Sequence, residues 1–250
     1  MKFMGSKNRH AKDLLPIILN DRYEGQWYVE PFVGGFNMID KVDGNRIAND
    51  VHFYLIELFK AIQNGWEPPK VVTDEEYIKI RDNKGEYPPQ LVGFVGFGCS
   101  YSGKWFGGYA RGSNDKGEER NYTDESRRNI LKQAPKIQGV VMENKNYWEL
   151  YFPPKSIIYC DPPYEGATQY KEQFDHDLFW EWIRNISNMG HSVFVSEYNA
   201  PDDFECLFSK TVNNTLVQQT GSKQGIEKLF KFNQTLAPKA GQEKDNEILL

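Results

Sequence analysis

The residues best suited to chemistry lie in one tetrapeptide, Asp161-Pro162-Pro163-Tyr164, directly after the apolar segment Ser156–Cys160. The two prolines fix φ and have no N–H, so the loop is stiff and offers carbonyl acceptors. Asp161 adds a carboxylate and Tyr164 a flat aromatic face. Acceptors beside an aromatic ring suit an exocyclic amine on a planar base. Asp-Pro-Pro is also a common composition of surface turns, so the tetrapeptide alone leaves both interpretations open.

A second pattern, Glu30-Pro31-Phe32-Val33-Gly34-Gly35, follows the short apolar segment Trp27–Val29. Glycine permits positive φ and close approach of a ligand to the backbone. Asp50 follows the next apolar segment, where a carboxylate binds ribose hydroxyls in dinucleotide folds. Gly-Gly after a strand is equally typical of a simple tight turn. Lys7 ends the segment Phe3-Met4-Gly5-Ser6-Lys7, and its simplest interpretation is a solvated surface charge.

The elements that must position these residues alternate between strand and helix. The periodicity predicts strands at Trp27–Val29 and Arg46–Ala48, each followed by a helical segment, the second of which is Phe53–Gln63. Such alternation is typical of an α/β fold with a parallel sheet, whose strand ends form the binding crevice. The other predicted elements are a helix at Asn8–Leu19, a strand at Ser156–Cys160, a helix at Leu178–Met189, a strand at Ser192–Val195, and an antiparallel pair at Thr211–Val217 and Lys228–Phe232.

The pattern is interrupted between residues 66 and 140 by proline pairs and a stretch rich in glycine and aromatic residues. We interpret residues 66–140 as an insert, partly helical near Glu125–Gln133, between two parts of one domain, residues 1–65 and 141–250. Residues 101–140 carry eight Lys/Arg and five Asp/Glu, a local charge of +3, whereas the whole chain has −5. A basic segment on an acidic body weakly indicates a polyanionic partner.

Composition excludes several classes of protein. With 250 residues, 39% hydrophobic and 26% charged, the chain is typical of a globular protein and not of a disordered or fibrous one. Its longest uncharged run, Tyr87–Gly103, contains prolines and glycines and does not suit a membrane span. The 3 cysteines form no CxxC pair, which argues against a disulfide framework and a structural zinc site. We therefore expect no metal, no membrane association and a cytoplasmic location.

Taken in order, these motifs resemble the Dam-type family of DNA adenine-N6 methyltransferases over most of the chain. The family pattern has an aromatic-x-Gly-x-Lys start (Phe3–Lys7), a Glu-Pro-Phe-x-Gly loop (Glu30–Gly34), an acidic residue after the next strand (Asp50), a recognition insert, and then Asp-Pro-Pro-Tyr (Asp161–Tyr164). Phage-borne members look especially similar at Gly103–Tyr109. The sequence departs from the family pattern at Phe36, where many members have a further glycine. The departure bears on the local backbone geometry of the loop.

The resemblance implies a Rossmann-like S-adenosylmethionine-dependent methyltransferase sheet with a small inserted target-recognition lobe. It further implies S-adenosylmethionine as the methyl donor and catalysis by Asp161, Pro162, Pro163 and Tyr164. The cofactor-binding residues that it implies are Phe3, Lys7, Glu30, Phe32, Gly34, Asp50 and Asp161.

The substrate implied is adenine in double-stranded DNA, which must be flipped out of the helix to be reached. The candidate DNA-binding residues in the insert are Lys104, Arg111, Arg120, Arg127 and Arg128, although a solvated charged face accounts for any one of them equally well. Cytosine-N4 methylation and an inactive DNA-binding protein are the alternatives. We expect no obligatory protein partner, and a bacterial or phage-infected cell as the setting, where such enzymes serve DNA methylation and restriction–modification.

Overall fold

The computed structural model describes residues 1–113, 117, 119–164, 174–212 and 225–236. Within these ranges the strands are β1 (Tyr28–Glu30), β2 (Arg46–Asn49), β3 (Val141–Glu143), β4 (Ile157–Cys160), β5 (Ser192–Ser196), β6 (Phe204–Val212) and β7 (Gly225–Phe232). They form one seven-stranded sheet in the order β3-β2-β1-β4-β5-β7-β6.

The sheet is parallel from β3 to β5 and antiparallel at β7 and β6. Val29 of β1 lies opposite Ile47 of β2 on one side and Ile158 of β4 on the other. The carboxyl ends of these three strands therefore meet at one edge. The prediction of a Rossmann-like α/β sheet with a closing antiparallel pair is confirmed.

The α-helices of the described residues are α1 (Ala11–Ile18), α2 (Phe53–Gln63), α3 (Asp74–Asp82), α4 (Pro89–Gly93), α5 (Tyr122–Leu131) and α6 (His176–Asn188). A π-helical turn, Phe94–Gly98, continues α4. Single 3-10 turns lie at Lys7–Arg9, Ile39–Lys41, Lys84–Glu86, Tyr101–Gly103, Ala134–Ile137 and Tyr147–Glu149.

Hydrophobic packing covers both faces of the sheet. Tyr28 and Tyr159 lie on the face that contacts α1 and α2. Their neighbours Val29 and Ile158 lie on the opposite face, against α6. This alternation follows from the two-residue period of a strand, and burial on both faces explains the nearly continuous apolar character of Ile157–Cys160.

Several predicted boundaries need correction. The helix α2 has the predicted bounds, but α1 begins at Ala11 because the preceding residues form a 3-10 turn capped by the Ser6 hydroxyl. The strand β6 begins at Phe204 and not at the predicted Thr211. Much of its length is half-buried or exposed, so charged residues interrupt the apolar pattern on which the prediction depended. Residues 213–217 of the predicted strand and the tail after Pro238 lie outside the described residues.

The segment 66–140 is more helical than predicted, because three α-helices lie between α2 and β3. The helix α4 was not predicted because it contains Gly93, and glycine in a sequence usually indicates the end of a helix. Here the glycine allows close helix packing, since a Cβ at this position would lie 2.2 Å from the Tyr54 carbonyl oxygen of α2. Buried residues of this segment, such as Phe94, share one hydrophobic cluster with Tyr28 of the sheet. The division into residues 1–65, 66–140 and 141–250 stays a prediction.

Within the described ranges, no helix has both the length and the apolar character needed to cross a lipid bilayer.

Candidate active site

Three of the predicted acidic residues lie at the carboxyl ends of adjacent parallel strands. Glu30 is the last residue of β1, Asp50 follows β2, and Asp161 follows β4. Because these strands are neighbours in the sheet, the fold brings residues distant in sequence to one edge.

Lys7 lies at the centre of this edge. Its Nζ is 3.3 Å from Asp161 Oδ1 and 3.0 Å from Glu227 Oε2, and it donates a hydrogen bond to the Tyr164 hydroxyl. Only 9% of the Lys7 side chain is exposed. Burial lowers the pKa of Lys7, but Asp161 and Glu227 outweigh burial and hold that pKa above its ordinary value. The interpretation of Lys7 as a solvated surface charge is therefore wrong.

The Asp161–Tyr164 loop is held against this lysine. The Lys7 Nζ lies 4.4 Å from the centroid of the Tyr164 ring, and the Tyr164 hydroxyl donates to Glu227 Oε1 at 3.3 Å. The Tyr198 ring meets the Tyr164 ring edge-on, with centroids 4.6 Å apart. These contacts contradict the alternative of a simple surface turn. They fix the aromatic face beside the carboxylate that precedes it.

The pKa of the Asp161 carboxyl group lies close to neutral pH. Removal from water raises its pKa, and the nearby Glu227 charge raises it further. The Lys7 ammonium and the Tyr164 hydroxyl lower it, and the result is a pKa of about 7. A nearby cationic ligand would favour the ionised form.

The glycine loop is tied to Asp50. The Asp50 carboxylate accepts hydrogen bonds from the Gly34 N–H at 3.1 Å and the His52 N–H at 2.9 Å. Burial raises the pKa of Asp50 to about 6, although both hydrogen bonds oppose the shift. Each carboxylate oxygen uses one lone pair in these bonds and retains a second for a ligand hydroxyl.

The Phe3 ring lies directly over the glycine loop. Gly34 has a φ of +49°, and a Cβ there would lie 2.8 Å from Phe3 Cε1; a Cβ at Gly35 would lie 2.6 Å from Phe3 Cβ. Both positions therefore need glycine. Phe36 has a left-handed φ of 58° and a buried ring stacked on Phe59 at 3.8 Å. The loop thus has a left-handed residue here without the glycine that many family members have.

Glu30 and Phe32 occupy different environments. Glu30 is buried and accepts a hydrogen bond of 2.9 Å from the Tyr28 hydroxyl, and burial raises its pKa well above the usual range. Phe32 packs in the cluster on the α6 side of the sheet, 5.2 Å from the ring of Tyr147. The structure therefore does not bring Phe32 onto the face where Phe3 lies.

The predicted DNA-binding residues differ in accessibility. Lys104 is exposed, and Arg128 is 60% exposed and paired with Asp124 at 2.9 Å. Arg127 is only 16% exposed and donates to the Pro68 carbonyl at 3.1 Å. Arg111 and Arg120 pair with acidic residues of the same segment. Arg127 therefore has a structural contact that the sequence did not indicate, and the DNA-binding role of this set stays a prediction.

Two further acidic residues lie near the site: Glu227, which the sequence did not single out, and Glu197, which belongs to Phe194–Asn199, a segment that resembles the family's strand ending in a polar pocket residue. Glu197 lies buried after β5, with its carboxylate 3.9 Å from His176 Nδ1, and Glu227 contacts Lys7 and Tyr164. Glu227 belongs to no local motif. Its signal is a charged residue in a partly apolar strand, which is too common in sequences to indicate a site.

Comparison with known families supports one of the open interpretations of the first motifs. Residues 3–90 match the family model of the D12 class N6 adenine-specific DNA methyltransferases. The match covers about a third of the chain. The match includes Lys7, Glu30–Gly34 and Asp50, and it ends before the Asp161–Tyr164 loop. It confirms the predicted Dam-type resemblance and supports adenine-N6 methylation of DNA in general terms.

Proposed function

We propose that the protein transfers a methyl group from S-adenosylmethionine to N6 of adenine in duplex DNA. The observation that carries the proposal is the contact of Lys7 with both Asp161 and Tyr164. This contact joins the part of the chain that matches the D12 model to the loop that suits an exocyclic amine.

The charges at the strand ends fit the proposed cofactor. Glu30, Asp50 and Asp161 are carboxyl groups whose pKa values burial raises, and the described contacts supply one cation, Lys7, to this edge. S-adenosylmethionine carries a sulfonium and an ammonium group, which favour the ionised carboxylates. Its ribose hydroxyls suit the remaining lone pairs of Asp50. Phe3, Lys7, Glu30, Gly34, Asp50 and Asp161 are the residues that would hold it, and Phe32 would contribute from behind the loop.

When bound, the cofactor supplies an electrophilic methyl group. The adenine amine is a poor nucleophile because its lone pair is delocalised into the ring. Acceptors from the Asp161 carboxylate and the Pro162 carbonyl would bind the amine hydrogens, favour a pyramidal nitrogen and stabilise the positive charge that develops there. Pro163 keeps this loop stiff, so the acceptors are in place before the base arrives.

The target base would leave the helix to reach this edge. Lys7 contacts the Tyr164 ring at its hydroxyl end, and the base would stack on a face of this ring. The exposed Lys104, Arg111, Arg120 and Arg128 would contact the DNA backbone, and Arg127 would keep the segment that carries them in place.

Replacement of Asp161 tests the proposal. We expect Asp161→Asn to lower methyl transfer to DNA by about 10²- to 10³-fold, because it removes the charged acceptor without changing the size of the side chain. The exposed Asp202→Asn is the matched control and should retain full activity. Transfer of labelled methyl to unmethylated duplex DNA measures both variants. Substantial transfer by folded Asp161→Asn would contradict the proposed role.

A further inference from the structure

Glu227 reaches the candidate site from a strand that no predicted motif includes. Leu229 of β7 lies opposite Ser196, the last residue of β5. Because β7 is antiparallel to β5, the residues before Leu229 continue past the carboxyl end of β5. Glu227 lies on this extension and on the same face of the strand as Leu229. That face also packs against α1 and the turn that carries Lys7.

The two carboxylate oxygens of Glu227 have different partners. Oε2 accepts from Lys7 Nζ at 3.0 Å, whereas Oε1 accepts from the Tyr164 hydroxyl at 3.3 Å. Only 7% of the Glu227 side chain is exposed. One buried carboxylate therefore bridges Lys7 and the tyrosine of the Asp161–Tyr164 loop.

Stability alone is a weak reason for this arrangement. Taking a carboxylate out of water costs several kcal/mol, and a buried ion pair often stabilises no better than apolar residues of the same volume. Lys7 already has a counter-ion in Asp161, and the added charge of Glu227 repels that carboxylate. The geometry instead gives Glu227 control over where Lys7 and the Tyr164 ring lie relative to Asp161.

We propose that Glu227 is a positioning residue for methyl transfer, which holds the Lys7 ammonium and the Tyr164 hydroxyl so that the aromatic ring and Asp161 face the same amine. This inference rests on the proposed function. Glu227 acts through Lys7 and Tyr164 and does not touch the reacting atoms. Its effect should therefore depend on the Tyr164 hydroxyl.

The test compares wild type, Glu227→Gln, Tyr164→Phe and the double variant by kcat, KM for DNA and cofactor affinity. Glutamine keeps the shape of the side chain but replaces one of the two acceptor oxygens with an NH2 donor and removes the charge that faces Lys7, so it cannot reproduce both contacts of the carboxylate. We expect Glu227→Gln to lower kcat by about 10- to 100-fold, the scale at which misplaced groups act, with a smaller change in cofactor affinity. Glu205→Gln, an exposed change in the neighbouring strand β6, is the control and should be neutral.

The double variant separates positioning from a structural role. In the Tyr164→Phe background the hydroxyl partner is absent and only the Lys7 contact of Glu227 remains, so we expect Glu227→Gln to lower kcat by a smaller factor than in wild type, a departure from additivity. An equal loss in both backgrounds, or an unchanged kcat for Glu227→Gln, would overturn the inference while wild type remains active. Absence of transfer by wild type would instead overturn the proposed function, and this inference with it.

Discussion

At the residue scale, the candidate site places one lysine between two carboxyl groups that are largely removed from water. Lys7 contacts Asp161 at 3.3 Å and Glu227 at 3.0 Å. Burial raises the pKa of Asp161, Lys7 offsets this only in part and Glu227 raises the pKa further, so that it lies at about 7. The site therefore carries a stability cost at neutral pH, as expected where a function requires a charged group.

This cost predicts the pH dependence of stability. The folded-state pKa of Asp161 is about 7, above its ordinary 3.8, so the folded state binds the extra proton and loses stability as pH rises between these values. Asp161→Asn removes the cost of ionisation. We expect the variant to be more stable than wild type at pH 8 by about 1–3 kcal/mol, with the gain shrinking towards pH 4. Chemical denaturation across this pH range, in the absence of cofactor, measures the difference.

A difference in stability that does not change with pH would show that the Asp161 side chain affects folding through packing and not through its charge. Asp202→Asn, at an exposed position, provides the baseline for this series.

The Tyr164 ring gives a second prediction at this scale. Tyr164→Ala should lower kcat by about tenfold or more, because stacking on an aromatic ring contributes roughly 1–3 kcal/mol per base. Its cofactor affinity should change less. Steady-state kinetics together with calorimetric cofactor binding separate the two effects. If only cofactor affinity fell, stacking on the target base would be the wrong role for Tyr164.

At the element scale, close packing of α2 against α4 fixes where the segment 66–140 meets the sheet. Gly93 makes this packing possible, since a Cβ there would lie 2.2 Å from the Tyr54 carbonyl oxygen and 3.0 Å from Leu58 Cβ. Because the backbone of α4 contacts the backbone of α2 directly, no flexible side chain could move aside to make room for a Cβ. The helix pair can therefore accept a side chain at Gly93 only by separating.

We expect Gly93→Ala to lower the free energy of unfolding by about 1–3 kcal/mol, the usual cost of overpacking a core. Gly85→Ala is the matched control, because a Cβ there meets nothing within 4 Å. Thermal or urea denaturation compares the two variants. Equal stability of both would mean that α2 and α4 are not packed as closely as described.

The same elements show how far the sequence predicts the structure. Apolar periodicity located α2 and the parallel strands, and the glycine and proline motifs located the loops at their ends, because these signals are local. The helix α4 was missed because its one glycine, Gly93, packs against another helix. Glu227 was missed because its partners, Lys7 and Tyr164, are brought to it only by the order of strands in the sheet.

At the scale of the whole molecule, the distribution of charge determines which surface of this acidic protein can bind DNA. The chain has a net charge of −5, and the arginines of the basic segment pair with acidic neighbours. Exposed pairs of this kind are weak, so a phosphate competes readily for Arg128, which is 60% exposed. Arg127, at 16%, is held by the Pro68 carbonyl and by Glu67.

The two neighbouring arginines should therefore respond differently to neutralisation. Arg128→Gln should weaken DNA binding and reduce the slope of log affinity against log salt by about one, without loss of stability. Arg127→Gln should lower the free energy of unfolding, by about 1–3 kcal/mol, because it breaks a charged hydrogen bond to the backbone. DNA titrations at several salt concentrations and urea denaturation test both. If the salt slope of Arg128→Gln equalled that of wild type, Arg128 would not contact the DNA, and the DNA-binding surface would lie elsewhere on the protein.

The most direct test of the central claim is the identity of the methylated nucleoside. Unmethylated duplex DNA is incubated with the protein and S-adenosylmethionine carrying a labelled methyl group, then digested and separated. The account predicts label in N6-methyladenine, and about 10²- to 10³-fold less of it with Asp161→Asn. Label in N4-methylcytosine would contradict the assignment of the base. Absence of transfer, with DNA and cofactor both bound, would contradict the proposed methyltransferase activity and indicate an inactive DNA-binding protein.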